Sequence, residues 1–347
     1  MAETFTREYD AMRRALALAA TPGVPLHPNP RVGCVLLAPD GSTVGEGYHH
    51  GAGTPHAEIE ALTAAGDRAR GATAVVTLEP CNHTGRTGPC AQALVDAGVA
   101  RVVIAQRDPN PQAAGGMDTL LEAGLEVDAG LLADEAAEIN RAWTFAHLNG
   151  RPFVTWKLAT TVDGRSAAED GTSRWVSSSA ARRDTHVLRG LCDTMLVGTN
   201  TVEVDDPRLT VRGDDDEPVG EQPLRVVMGE RELSADRKVL DDSAPSVHLR
   251  THDPAQALRT LYADHGRSHV FLEGGPTLAA AFLRAGLVDE VVAYVAPMLL
   301  GAGTSAVGDL GIGTIADALH LALVDTTVVG EGAEANVRMI MRPTKRS

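Results

Sequence analysis

The sequence predicts an α/β fold in two successive domains, on three observations. The chain has 347 residues, more than a single hydrophobic core usually organises. Short Val/Leu/Ile-rich runs alternate along it with Ala-rich stretches of helical length, the pattern of βαβ units on a mostly parallel sheet covered by helices. "HLNGRPF" at 147–153 then brings Gly and Pro after a long helical stretch; a break there separates residues 1–148 from 151–347.

In the first domain, helices are expected over 6–20, 57–65, 90–97, 116–123 and 133–147. Strands are expected over 32–37 (VGCVLL), 43–48, 73–78 (TAVVTL), 101–105 (RVVIA) and 125–128. The second domain restarts the alternation with strands at 153–159, 194–198, 224–228, 269–272 and 289–295, and helices at 178–191, 253–263 and 276–285. A strand pair over 324–330 and 336–342 closes it. "RGDDDEPVGEQP" at 212–223 reads as a solvated acidic insertion. No internal repeat is present.

Composition narrows the function classes. Hydrophobic residues make up 44% and charged residues 22%, ordinary values for a globular protein, while aromatics are only 3%, so the cores must be built from Ala, Val and Leu. A net charge of −15 argues against nucleic acid or an anionic membrane as a general partner. The N-terminus carries acids and arginines and reads as an amphipathic helix rather than a signal peptide. No window approaches the roughly 18 apolar residues of a membrane span. Four cysteines are too few for a disulfide framework. Cys34 and Cys192 sit in apolar runs and read as core residues. Cys81 and Cys90 alone lie in polar context, and a reducing cytoplasm suits a thiolate metal site.

"HAEIEAL" (56–62) and "TLEPCNHTGRTGPC" (77–90) supply the other ligand types. Mid-helix, His56 and Glu58 would point about 200° apart. At a first helical turn, with a metal off the N-terminal end, both can serve it, and Pro55 marks such a start. Cys81 follows a strand; Cys90, after Gly88 and Pro89, opens the next helix. His56, Cys81 and Cys90 leave a fourth tetrahedral position for water, the stoichiometry of a catalytic zinc. Glu58 is then the proton shuttle. H-x-E followed by P-C-x-x-C marks zinc nucleobase deaminases. This chain has the first half and widens the second to P-C-x8-C.

That widened loop resembles one family in particular. "PCNHTGRTGPC", "HPNPRVGCVLLAPDG", "GEGYHHGAGTPHAE" and "DPNPQAAG" are similar to the deaminase domain of bifunctional riboflavin-biosynthesis proteins, in which a diaminohydroxyphosphoribosylaminopyrimidine deaminase is fused to a 5-amino-6-(5-phosphoribosylamino)uracil reductase. The resemblance implies that Asn29, His49, His83 and Arg86 contact the pyrimidine and ribose phosphate. Asn29 between two prolines is a rigid amide able to read a base edge, and Arg86 offers a fork suited to phosphate. Gly88 and "QAAGGM" depart from the family pattern, which there has Pro and V-A-G-R-G.

The second half lacks the G-x-G-x-x-G of a dinucleotide fold. "KLATTVDGRSA", "SRWVSS", "ARRDTHVLRGLCDTMLVGTNTVEVDDPRLTVR" and "FLEGGPTLAAAFLRAGLVDE" instead resemble the family's NADPH-dependent reductase domain. The implied folds are a cytidine-deaminase-like three-layer α/β/α domain followed by a dihydrofolate-reductase-like α/β domain. By the same resemblance Ala159, Trp175, Thr201, Asp205, Gly275, Pro276, Thr277, Leu278, Ala279, Ala280 and Ala281 line the NADPH site. Ser173, Arg189, Leu209, Arg212 and Glu273 face the ribosylamino substrate, with Arg189 and Arg212 on its phosphate. Lys157, in an apolar strand, is a candidate for polarising the sugar. "EGGPTLA" follows a strand and opens a helix whose amides can meet a phosphate. "VVMGERE" replaces the family's D-S, so a serine contact to NADPH is missing at Gly229.

The expected function is zinc-dependent deamination of 2,5-diamino-6-ribosylamino-4(3H)-pyrimidinone 5′-phosphate, then NADPH-dependent reduction of the ribosyl to the ribityl chain. The expected partner is that small phosphorylated pyrimidine; a homo-oligomer is compatible with the sequence, which does not decide it. One alternative is a cytidine or transfer-RNA deaminase fused to a reductase-like domain, which the x8 spacing and acidic charge disfavour. Another is a binding protein with a structural zinc, disfavoured by three ligands beside a free glutamate.

Overall fold

The computed structural model describes residues 2–82, 88–213 and 215–344. The chain forms two compact units, residues 1–149 and 150–347.

The first unit runs α1 (Ala2–Ala19), β1 (Gly33–Leu37), β2 (Thr43–Tyr48), α2 (Ala57–Ala65), β3 (Thr73–Leu78), α3 (Cys90–Asp96), β4 (Arg101–Gln106), α4 (Gly116–Glu122), β5 (Glu126–Ala129), α5 (Ala133–Ile139) and α6 (Arg141–Asn149). Its sheet has the order β2-β1-β3-β4-β5. Alternate side chains leave opposite faces of a strand, and here both faces are apolar. Cys34, Leu36, Val76 and Ile104 share a core with residues of α2, α3 and α4. Their neighbours Val35, Leu37, Val75 and Val103 pack with α1 and α5. The result is three layers, α/β/α.

The sheet is more mixed than expected. β3, β4 and β5 are parallel, but β1 runs antiparallel to both β2 and β3. Two glycines on β2 let α2 lie flat upon it: a Cβ at Gly45 would sit 2.2 Å from the Ala61 carbonyl oxygen, and one at Gly47 2.4 Å from that of Ala57. That contact sets where α2 begins. The expected helix 133–147 is broken at buried Asn140, whose amide donates to the Arg31 carbonyl and accepts from the Arg31 N–H, both at 2.8 Å. A side chain that replaces a backbone ladder pair ends α5 and starts α6.

The second unit contains β6 (Phe153–Thr161), β7 (Arg165–Ala167), α7 (Ser179–Arg189), β8 (Thr194–Gly198), α8 (Thr199–Asp205), β9 (Leu224–Met228), β10 (Ser246–Leu249), α9 (Pro254–Ala263), β11 (His269–Leu272), α10 (Pro276–Arg284), β12 (Glu290–Ala296), β13 (Thr304–Ser305), β14 (Leu321–Val329) and β15 (Asn336–Pro343). The main sheet has the order β10-β9-β8-β11-β6-β12-β15-β14. It is parallel from β10 to β12, and β15 and β14 add an antiparallel edge. α9 and α10 cover one face through Ala257, Leu258, Ala279 and Phe282. β10 and α8 were absent from the sequence reading. Both are short, and Val202 alone of α8 is a buried apolar side chain. Among the described residues no helix is long and apolar enough to cross a membrane.

Candidate functional site

In the first unit three predicted ligands converge. His56 is the N-cap of α2, extended at ψ 160°. Cys90 opens α3, and Cys81 lies between β3 and that helix. His56 Nδ1 is 3.2 Å from Cys90 Sγ and 3.5 Å from Cys81 Sγ. All three donor atoms lie within 4.8 Å of one another. The Cys90 N–H also points at Cys81 Sγ, 3.4 Å away. Hydrogen bonding from Cys90 holds the Cys81 thiol well below its usual range, and Cys90 is correspondingly raised. Two sulfurs and an imidazole on backbone this constrained are a donor set that fits zinc.

Glu58 sits one residue into α2 and is 3% exposed. Burial pushes its carboxyl up to about 7, against the pull of its backbone hydrogen bond and of His56. Beside the ligands, Asn29 Nδ2 donates to His49 Nε2 at 3.0 Å, so His49 Nδ1 carries the proton given to the Pro55 carbonyl, also at 3.0 Å. Burial lowers the His49 pKa, against the pull of the Pro55 carbonyl. The His49 and His56 rings meet edge to face at 5.3 Å. His83 and Arg86 lie outside the described residues.

The second unit holds a cavity of about 680 Å³ at the carboxyl ends of β6, β8 and β11, where ligands bind in open parallel sheets. Lys157, Ser173, Trp175, Arg189, Thr201, Asp205, Leu209, Arg212 and Glu273 all line it. Register explains the centre: Leu272 pairs with Trp156 on one side and Leu196 on the other, which sets Glu273 beside Lys157. The Glu273 carboxylate forms a two-pronged pair with Arg189, at 2.6 and 2.9 Å. Burial alone would raise Glu273, but Arg189 and then Lys157 outweigh it and hold the acid at about 2. Burial lowers Lys157, with Glu273 opposing.

Three groups of expected residues have surroundings of note. Arg189 gives Nε and Nη2 to Glu273 and Nη1 to the Thr210 carbonyl, so its fork is committed before any phosphate arrives. Ala279 and Ala280 are buried in the core and Leu278 packs over Gly274, so of 275–281 Gly275 and Thr277 are the exposed residues. Leu209 lines the cavity yet is 2% exposed, packed in the core with Val197 and Val202, at φ 56°; a bulky residue in that region is strained. Ala159 lies on β6 opposite Tyr294. Gly229 has φ 138°, and a Cβ there would come within 3.0 Å of Thr199 Oγ1, so the local backbone favours glycine over the serine-bearing family pattern.

The sequence reading missed Arg182 and His186. The Arg182 guanidinium lies over the Trp175 ring at 4.3 Å, and both residues line the cavity. Arg182, His186 and Arg189 stand at i, i+4 and i+7 on α7, one face of a helix, a spacing that could have found them.

Residues 6–106 match the cytidine and deoxycytidylate deaminase zinc-binding region, and residues 152–334 match the RibD C-terminal domain. The riboflavin biosynthesis protein RibD of Mycobacterium tuberculosis is 50% identical over 85% of this chain and 86% of its own length. That is decisive. The chain belongs to the RibD family. RibD of Escherichia coli is 40% identical, over 92% of this chain and 96% of its own. The structure of Acinetobacter baumannii RibD superposes with a TM-score of 0.90 at 38% identity, covering 98% of this chain and 99% of that one. A Thermotoga maritima structure described as a diaminohydroxyphosphoribosylaminopyrimidine deaminase/5-amino-6-(5-phosphoribosylamino)uracil reductase has a TM-score of 0.85 at 30% identity, with the same coverage. Like other RibD proteins, the chain is a bifunctional deaminase and reductase of riboflavin biosynthesis, with a zinc-binding deaminase domain ahead of a reductase domain.

Proposed function

We propose that the first unit hydrolyses the amino group from 2,5-diamino-6-ribosylamino-4(3H)-pyrimidinone 5′-phosphate and that the second reduces the deaminated ribosyl compound with NADPH. The convergence of His56, Cys81 and Cys90 beside buried Glu58 carries the first half. Zinc held by those three side chains supplies a water acidified to a pKa of about 7. With zinc bound, Glu58 would hold the proton of a water whose oxygen adds to the ring carbon, and would pass it to the amino nitrogen as the C–N bond breaks, so that ammonia leaves and the carbon becomes a carbonyl. Asn29, fixed by neutral His49, reads the pyrimidine edge; His83 and Arg86 are assigned to the substrate as well.

In the second unit NADPH supplies hydride to C1 of the opened sugar. Lys157 polarises that end and Glu273, oriented by Arg189, fixes it. With Arg189 committed, the substrate phosphate falls to Arg212, whose partner Asp216 at 2.5 Å is 76% exposed and easily displaced. Ser173 and Leu209 complete the substrate wall. Trp175, Thr201, Asp205, Ala159 and the Gly275–Pro276–Thr277 turn serve the cofactor. Incubating the zinc-loaded protein with the diaminopyrimidinone ribosyl phosphate and NADPH tests this reading: ammonia and a ribityl product are expected together; no ammonia would refute the first half, and ammonia without a ribityl product the second.

A further inference from the structure

We infer that Glu79 is a positioning residue of the metal centre. It clamps the corner carrying Cys81 to the loop 108–117 that covers the ligand sulfurs. This inference rests on the zinc reading of His56, Cys81 and Cys90. Glu79 directly follows β3, two residues before Cys81, and is 7% exposed. Among the described residues no cation pairs with it. Its carboxylate instead accepts three backbone N–H groups: Oε1 takes Gly115 at 3.1 Å and Met117 at 3.0 Å, and Oε2 takes Asp108 at 3.2 Å. Those donors bracket one loop. Gly115 is the N-cap of α4 and brings no side chain of its own, so Glu79 does the capping from the segment just past β3.

The loop so held reaches the sulfurs. Ala113, 7% exposed, packs with Cys81 and Cys90, and Ile59 joins them. The Asn82 N–H donates to the Ala113 carbonyl at 2.9 Å, and Thr119 Oγ1 donates to Asn82 Oδ1 at 3.0 Å. Gly116 presses so closely on the corner that a Cβ would lie 1.7 Å from the Pro80 carbonyl oxygen. An apolar cover over thiolate ligands limits water at the metal, and fixed backbone around them lowers the cost of gathering the donor set. All three groups facing Glu79 are donors, so only an acceptor on both oxygens satisfies them. Glu79→Gln keeps the size but turns an NH2 group against one N–H, a donor facing a donor.

The test is zinc release from the full-length protein to a chromogenic chelator, with metal content and reductase rate measured in parallel. Wild type should hold one zinc per chain; a wild type that takes none would overturn the zinc reading itself. Glu79→Gln should lose zinc about 10–100-fold more readily while its reductase rate stays at wild type. Glu79→Gln releasing zinc like wild type overturns the inference. Should that variant fail to fold, Glu79→Asp decides: its shorter carboxylate cannot span the three donors, so weakened retention is expected, and wild-type retention overturns the inference.

Discussion

Glu58 and Glu273 are both buried carboxylates, and their neighbours drive them in opposite directions. Glu58 rises to about 7, chiefly through burial, whereas Arg189 and Lys157 hold Glu273 at about 2. One is suited to exchange protons, the other to stay an anion. Glu58→Gln should therefore retain zinc and the reductase rate while deamination falls by about two to four orders of magnitude; deamination near the wild-type rate would make Glu58 structural. His186 shows a base pushed the other way, down to about 4 from 6.5, first by burial and then by Arg189 and Arg212, with Glu273 and Asp216 opposing. Between those values the unfolded chain binds a proton that the folded chain does not. The contribution of His186 to stability is thus intact above about pH 6.5 and is lost as the pH falls toward 4. Urea midpoints across that window should decline, and His186→Asn should make the decline shallower; an unchanged slope would refute the assignment.

At the scale of elements, the cavity wall depends on a residue that never reaches the cavity. Arg225 on β9 is fully buried, and its guanidinium donates to the carbonyls of Arg208, Lys238, Asp241 and Ala244 and to the Asp241 carboxylate. Arg208 and Lys238 line the cavity. Arg225→Ala strands those acceptors and should cost on the order of 3 kcal/mol of stability. The melting temperature should fall and the reductase KM rise, without effect on bound zinc. Elements of this kind were unevenly legible in the sequence. Strands such as TAVVTL and GCVLL were readable because both faces are buried, giving continuous apolar runs. The direction of β1 was not, because burial on both faces reads the same parallel or antiparallel. The break at Asn140 was hidden because its cause, Arg31, lies 109 residues away. The same limit applies to the site. His56, Cys81 and Cys90 were legible as a spacing, but the Arg189–Glu273 pair spans 84 residues, and nothing local to "HVLRG" announces that its arginine is already engaged.

At the scale of the whole molecule, two chemistries belong to two compact units. Among the described residues the one metal-type cluster lies in the first unit, and the cavity with Lys157 and Glu273 lies in the second. Zinc should then be required for one reaction alone. The most direct test follows both in one preparation before and after exhaustive chelation: ammonia release from the diaminopyrimidinone ribosyl phosphate, and NADPH oxidation with the already deaminated compound. We expect chelation to abolish ammonia release, zinc to restore it, and NADPH oxidation to continue unchanged throughout. Loss of both activities on chelation, or of neither, would contradict the account.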